Sequence, residues 1–463
     1  MQSARAAFAS LSARDLTGSS RGVWFGALLV AFAMLWEAPR QPLVILFVPF
    51  ACVAVVLAVR SPAWPLGITT GATLIALLAH GHLPQGATIG AYTAWLLFAL
   101  VVTMVRGDRA HPPLRLVLDF SAVGTIALLA LMLTRLPASG DGAYGLHKIE
   151  LFALAAVVPY IVGTVVGYVR RDLELFIRVF VAMIVAAAVY NTFLIATGAA
   201  SRQFSDRYSL GAAIDVIGLS RTMGAVTLIL LFLLVRAETV RKRAVYGLAM
   251  VPVAITFLSS GSRGPVIGML VALPSVLLWR AASPALARRL AASLVAVGAL
   301  AVVAIVALVP PEATQRSLSI FQTTQEAGDT SRFILWNEAI HAFSSSLTHT
   351  LVGIGTGGYA AIATTGSIYP HNIFMEVGSE LGVLGLLALA AFIFSVFFRQ
   401  LRLLGHGGET AGWAGLVLTL FVFSLVNAQF SGDVSSNSGL WLWGGIASGL
   451  AAAAHAESRG AGP

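Results

Sequence analysis

Apolar runs of about 15 to 25 residues recur along nearly the whole chain, and that recurrence admits few folds. Each run is long enough to cross roughly 30 Å of hydrocarbon as a helix, and none shows the alternation of a barrel strand. About fourteen runs can be delimited, centred near Leu29, Val53, Leu74, Leu97, Leu128, Val158, Ile184, Leu230, Ala254, Leu270, Val302, Leu389, Leu420 and Ala447. Composition leaves no soluble alternative. Of 463 residues 58% are hydrophobic and only 11% charged, with mean hydropathy +0.86, too little polar surface to coat a globule. The expectation is an all-α, polytopic integral membrane protein with about 12 to 14 transmembrane helices.

Basic residues are retained on the cytoplasmic side of a membrane, so their distribution orients the runs. With the first run entered from inside, cytoplasmic segments collect Arg5, Arg14 and Arg21, then Arg106, Arg109 and Arg115, then Arg236, Arg241, Lys242 and Arg243, then Arg280, Arg288 and Arg289. Both termini are thereby expected in the cytoplasm. The N-terminus reads as a retained signal anchor, since its basic residues and apolar run lack a small-residue cleavage site. Net charge is +9, but the basic residues flank spans and form no soluble basic face. They point to topology and anionic membrane lipids, not to nucleic acid. The single cysteine, Cys52, lies in an apolar run, excludes an internal disulfide or a cysteine metal cluster, and reads as core packing. Lys148 and Lys242 are the only lysines.

The informative residues break this bias. The expected outer side carries Arg202, Arg207 and Arg221 before the Leu230 run, Arg263 in FLSSGSRGPVIGML, and Arg316 and Arg332 in a loop from about 310 to 370. A charged side chain beside the hydrocarbon is costly and marks a site where something anionic is held. A loop of that length forms a functional structure of its own. Within it, DTSRFILWNEAIHAFSSS spaces Phe333, Trp336, Ile340 and Phe343 as one face of a helix, with Asp329, Thr330 or Ser331 as N-cap. An amphipathic helix lying on the outer leaflet is expected, with Arg332 in its first turn, where N–H groups favour an anion. Arg332 also reads as a snorkelling interface arginine. LVGIGTGGYAAI lacks a Walker lysine and a strand–turn–helix context, so its glycines read as a flexible turn returning the loop to the membrane.

The loop closes with SIYPHNIFMEVGSELGVLG, where His371 follows Pro370 just ahead of an apolar helix. A histidine titrates near neutrality and can take a proton from a hydroxyl in place; an interfacial or helix-capping role is the other reading. Glu376 and Glu380 share one helix face below it. They either orient His371 or are packed and protonated.

The chain from about Gly198 to Leu389 resembles the superfamily of O-antigen ligases and O-antigen or exopolysaccharide polymerases. Four ordered segments carry the resemblance: GLSRTMGAV, FLSSGSRGPVIGML, TSRFILWNEAI with LVGIGTGGY, and YPHNIFMEVGSELGVLG. It implies a GT-C-like glycosyltransferase of the bacterial inner membrane with its active site on the periplasmic side. The donor would be an undecaprenyl-diphosphate-linked glycan, and the acceptor a sugar hydroxyl of lipid A core or of a growing carrier-linked chain. Cofactor and metal are both expected to be none. By motif match Arg221, Arg263 and Arg332 would hold the diphosphate and His371 would be the catalytic base, with Glu376 and Glu380 supporting. The division expected is 1–197 N-terminal helices, 198–398 catalytic region with the periplasmic loop, and 399–463 C-terminal helices. Members commonly have fewer spans than counted here. The physical logic agrees: a diphosphate leaving group needs positioned guanidinium groups where no metal meets its charge, and one in-line attack inverts the anomeric centre. A transporter or flippase of an anionic lipid-linked glycan would also gather arginines. It should show matched interrupted helices in two halves and mid-membrane coupling groups; no internal repeat is seen, and the ionisable candidates cluster at one face.

Overall fold

A computed structural model describes residues 53–71, 85–106, 119–204, 207–209, 216–275 and 327–459; the side chains of 85–88, 106, 201–209 and 327–331 are excepted. The runs centred on Leu29, Leu74 and Val302, residue Cys52, the side chains of Arg202, Arg207 and Arg316, and the first part of the long loop lie outside these described residues.

The described chain is almost wholly helical. In order come α1 (Val53–Arg60), α2 (Ala63–Thr70), α3 (Gln85–Arg106), α4 (Phe120–Arg135), α5 (Gly142–Tyr168, with a π-turn at Ala153–Val157), α6 (Arg170–Ala196), α7 (Val216–Arg236), α8 (Val240–Ser259) and α9 (Arg263–Ala272). Beyond the gap follow α10 (Ala327–Ser344), α11 (Leu347–Val352), α12 (Tyr359–Ile362), α13 (Ile373–Leu404), α14 (Gly408–Asn427) and α15 (Ser438–Ser458). The fold is all-α as expected, with one short antiparallel hairpin, β1 (Ser201–Phe204) with β2 (Arg207–Ser209), between α6 and α7. Among the described residues seven helices are long and apolar enough to span a membrane, and α1 and α2 meet at 120° as a bent pair that could add one more.

Close helix approach is written into the sequence as small residues. Gly163 and Gly167 of α5 face Gly445 and Gly449 of α15. A Cβ at Gly445 would lie 2.1 Å from the Tyr160 carbonyl oxygen, and one at Gly449 2.1 Å from that of Thr164. Without a hydrophobic drive between helices in lipid, such backbone contact and its dispersion gain hold the pair. Around it Trp441 packs on Phe152 and Phe392, ring centroids 5.1 and 4.5 Å apart.

The helices alternate in direction, so residues gather at two ends. One end holds the start of α7, the α8–α9 turn, α10 to α12, the start of α13 and the α14–α15 turn. The other holds the starts of α4, α6 and α14 and the ends of α7 and α13. At that second end Arg170 and Arg236 both pair with Glu409, the latter at 3.0 Å, and Arg399 pairs with Asp119 at 2.5 Å.

A candidate site where three motifs meet one turn

The α14–α15 turn, residues 428–437, organises the first end. Its polar run SGDVSSNS interrupts two apolar helices and folds on itself: Asp433 Oδ1 accepts from Ser435 Oγ and Ser436 N, each at 2.7 Å, and Asn437 Nδ2 donates to the Asp433 carbonyl at 2.7 Å. Burial alone would raise the Asp433 pKa; Lys148 and the serine donors outweigh it and hold this carboxyl below its usual range.

Arg221, in the second turn of α7, reaches into this turn. Nη1 donates to Asn437 Oδ1 at 3.0 Å, and Nη2 to the carbonyls of Asn427 and Ser431 at 3.0 and 2.6 Å. Arg263 is the first residue of α9, whose N-cap Ser262 makes no side-chain capping bond, so the helix start favours an anion. Gly264 packs on Phe430, where an added Cβ would lie 3.0 Å from the Phe430 Cβ, and Gly268 on Asn427. The segment carrying His371 joins the same turn through Ile373 N, which donates to the Ala428 carbonyl at 3.0 Å.

His371 is half-buried with φ 55, the one non-glycine residue with positive φ among those described. Such a conformation costs roughly 1 kcal/mol or more and persists only where neighbours enforce it. Three do. Trp336 Nε1 donates to the Pro370 carbonyl at 3.1 Å, the Tyr369 ring stands edge-on at 4.6 Å, and the Asn372 side chain caps α13 by accepting from Phe374 N and Met375 N. Burial, then Arg332, then Arg221 lower the His371 pKa below the ordinary histidine value. These surroundings favour the neutral imidazole, the form that can accept a proton, and two of the three motif arginines lie within electrostatic reach of it.

α10 begins by Ala327, upstream of the expected caps Asp329, Thr330 and Ser331, so Arg332 sits in the second turn and not the first. The helix continues through these residues because Asp, Ser and Thr are tolerated in a first turn, where the dipole favours acidic groups. Phe333 and Ile340 of the expected stripe are 62% and 50% exposed, while Leu335, Ala339 and Ala342 are buried. Glu338 fixes the helix to the following loop, accepting from Thr364 N at 3.0 Å and Tyr359 OH at 3.1 Å.

The glycine run is not a free turn. Ile354 N and Gly355 N donate to the carbonyls of Ser379 and Glu380 at 2.9 and 3.1 Å, and Thr356 Oγ1 to that of Met132 at 2.7 Å. Arg135 Nη2 donates to the Gly353 carbonyl at 2.9 Å. The run seats against a break in α13 at Gly382 (φ 67, ψ −160). A Cβ at Gly353 would stand 2.1 Å from the Glu380 carbonyl carbon, and one at Gly382 2.4 Å from that of Leu351. Glycine is required here for close contact, not for the flexible turn expected from the sequence.

Glu376 and Glu380 lie on the nine-residue segment before that break, buried, and both bind Lys148. Glu376 also accepts from Val434 N at 2.9 Å, and Glu380 from Gly357 N at 2.9 Å. They face the glycine run and the α14–α15 turn. Lys148 and the 428–437 turn escaped the sequence reading. The polar break SGDVSSNS was the available signal for the turn; the Lys148 to Glu380 separation of 232 residues left none for the lysine.

Beside Arg221 a cavity of about 320 Å³ opens, bounded by Ser436 and Asn437 at its polar side and by Leu66, Leu96, Phe180 and Trp443 elsewhere. No curated protein matches the chain. Residues 248–390 match the family model described as O-antigen ligase; Arg263, Arg332, His371, Glu376 and Glu380 fall inside that range, and Arg221 ahead of it. Over residues 248–390, then, this multi-spanning helical membrane protein is similar to the O-antigen ligase family.

Proposed function

We propose that the protein is an inverting, metal-independent glycosyltransferase of GT-C-like architecture, working on the periplasmic side of the bacterial inner membrane. It transfers a glycan from an undecaprenyl-diphosphate carrier to a sugar hydroxyl, on lipid A core or on a growing carrier-linked chain. The observation that carries the reading is the convergence of the segments bearing Arg221, Arg263 and half-buried His371 on one ordered turn, with Arg332 within electrostatic reach of His371. His371 takes the acceptor's hydroxyl proton as that oxygen bonds to the anomeric carbon. The bond from this carbon to the diphosphate breaks, and the guanidinium groups meet the charge on the departing oxygen. The 320 Å³ cavity beside Arg221 offers an apolar wall next to the diphosphate site, which suits an amphiphilic carrier.

The orientation draws on charge. The end opposite the site carries Arg170, Arg236, Arg241, Lys242, Arg243, Arg399 and Arg402, as a cytoplasmic face should. Purified protein in lipid nanodiscs with an undecaprenyl-diphosphate glycan and a sugar acceptor tests the reading. The expected result is a product of inverted anomeric configuration, formed in the presence of a chelator. No product, or movement of the unmodified donor between leaflets, overturns it.

A further inference from the structure

Lys148 sits in the second turn of α5 with its side chain 0% exposed, in a chain whose other buried-end cations are arginines. Its ammonium binds Glu376 and, at 2.7 Å, Glu380. Each carboxylate has a second partner on a different segment: Val434 N of the α14–α15 turn for Glu376, Gly357 N of the glycine run for Glu380. Tyr144, one turn earlier on α5, donates to Asp433 Oδ2 at 3.3 Å. One ammonium therefore ties together the helix that follows His371, the glycine run, and the turn onto which Arg221 donates at Asn437 and Ser431.

Stability gives a poor reason for this arrangement, because a buried ion cluster is often matched or bettered by well-packed apolar side chains. Position gives a better one. Glu376 lies in the first turn of the helix that His371 leads into, five residues after it, and the other oxygen of the same carboxylate holds the Arg221 turn. A compact ammonium fits between two carboxylates already committed to main-chain N–H groups, whereas a planar guanidinium would spread them.

We propose that Lys148 is a positioning residue of the transferase: through Glu376 and Glu380 it sets the separation between His371 and the Arg221-bearing turn. This rests on the transferase reading above. Lys148→Met removes the charge at similar length but leaves two carboxylates buried without a counter-ion, which endangers folding. The triple variant Lys148→Met, Glu376→Gln, Glu380→Gln removes that danger and keeps amide oxygens to accept from Val434 and Gly357. Both are assayed beside wild type, His371→Ala, and Lys242→Met, an exposed lysine at the opposite end, with turnover and donor KM expressed per monodisperse, folded molecule. The triple variant is expected to lose about 100-fold in kcat, the scale of an ångström-sized misplacement, with donor KM little changed and Lys242→Met normal. Wild-type kcat in the triple variant, while His371→Ala is inactive, overturns this inference alone. Failure of both variants to fold makes Lys148 a stability residue and overturns it also. A wild type that transfers nothing overturns the transferase reading, and this inference with it.

Discussion

The two ends of the helix bundle use the same side chains for different ends. At one, Arg170, Arg236 and Glu409 form partly exposed pairs, with Glu409 59% exposed. At the other, Arg221 is turned inward onto three protein acceptors, and His371 is held in a strained backbone conformation beside it. Solvent screens the first set, whose pairs are worth about 0 to 1 kcal/mol each. Burial makes the second set expensive, and the fold supplies an ordered turn, a glycine run and a buried lysine to hold it. Charge alone thus distinguishes little between the ends; charge with enforced geometry does.

That contrast can be broken by substitution. The largest effect belongs to Arg221→Ala, which removes both a cation of the proposed diphosphate site and the staple of the 428–437 turn. Transfer is expected to fall by 10³-fold or more, with some loss of folded protein, where removing one oxyanion donor costs about 10²–10³. Arg263→Ala should cost about 10² in turnover with the fold intact, and Arg263→Lys should restore little, since a point charge replaces a fork. Turnover by membrane-embedded Arg263→Ala near wild type would remove this residue from the site.

Next in size is packing. Gly353→Ala puts a methyl carbon on the Glu380 main chain at a φ of 73°, and is expected to destabilise by about 2 to 4 kcal/mol. Thermal unfolding in detergent reads this, and a stability within 0.5 kcal/mol of wild type would show the run to be the flexible turn its sequence suggests. At the opposite end Glu409→Gln should change stability by less than about 1 kcal/mol and leave turnover unchanged. A large loss of activity there would dissolve the distinction between the ends.

The pH dependence sharpens it further. A base must be unprotonated, so activity falls as pH drops through the His371 pKa. Burial, Arg332 and Arg221 lower that pKa, so the acidic limb of kcat/KM is expected below the ordinary histidine value. A bound diphosphate offsets the two arginines and raises the pKa, so the limb of kcat should lie at higher pH than that of kcat/KM. Coincident limbs would mean that the donor's charge is not felt at His371.

The sequence makes the spans legible because a membrane demands long apolar runs, and it marks His371 and the arginines because charges beside hydrocarbon are rare. It does not reveal what joins them. Residues 428–437 look like any polar turn until Arg221, Ile373 and Glu376 are seen to bond it. Lys148 looks like a stray cation, since its partners lie more than 200 residues away. The glycine run carries the same letters whether flexible or packed; only the contact of Gly353 with Glu380 decides. Local pattern encodes elements and candidate groups, while long-range polar pairing leaves no periodic trace.

The most direct test of the account is single-turnover transfer by His371→Gln with the donor already bound. Glutamine keeps a polar group of similar reach but takes no proton. The account predicts donor affinity within a few-fold of wild type and a transfer rate lower by about 10² to 10⁴, the scale of general-base catalysis. Transfer at the wild-type rate would contradict it and leave His371 a ligand or a structural residue of the turn.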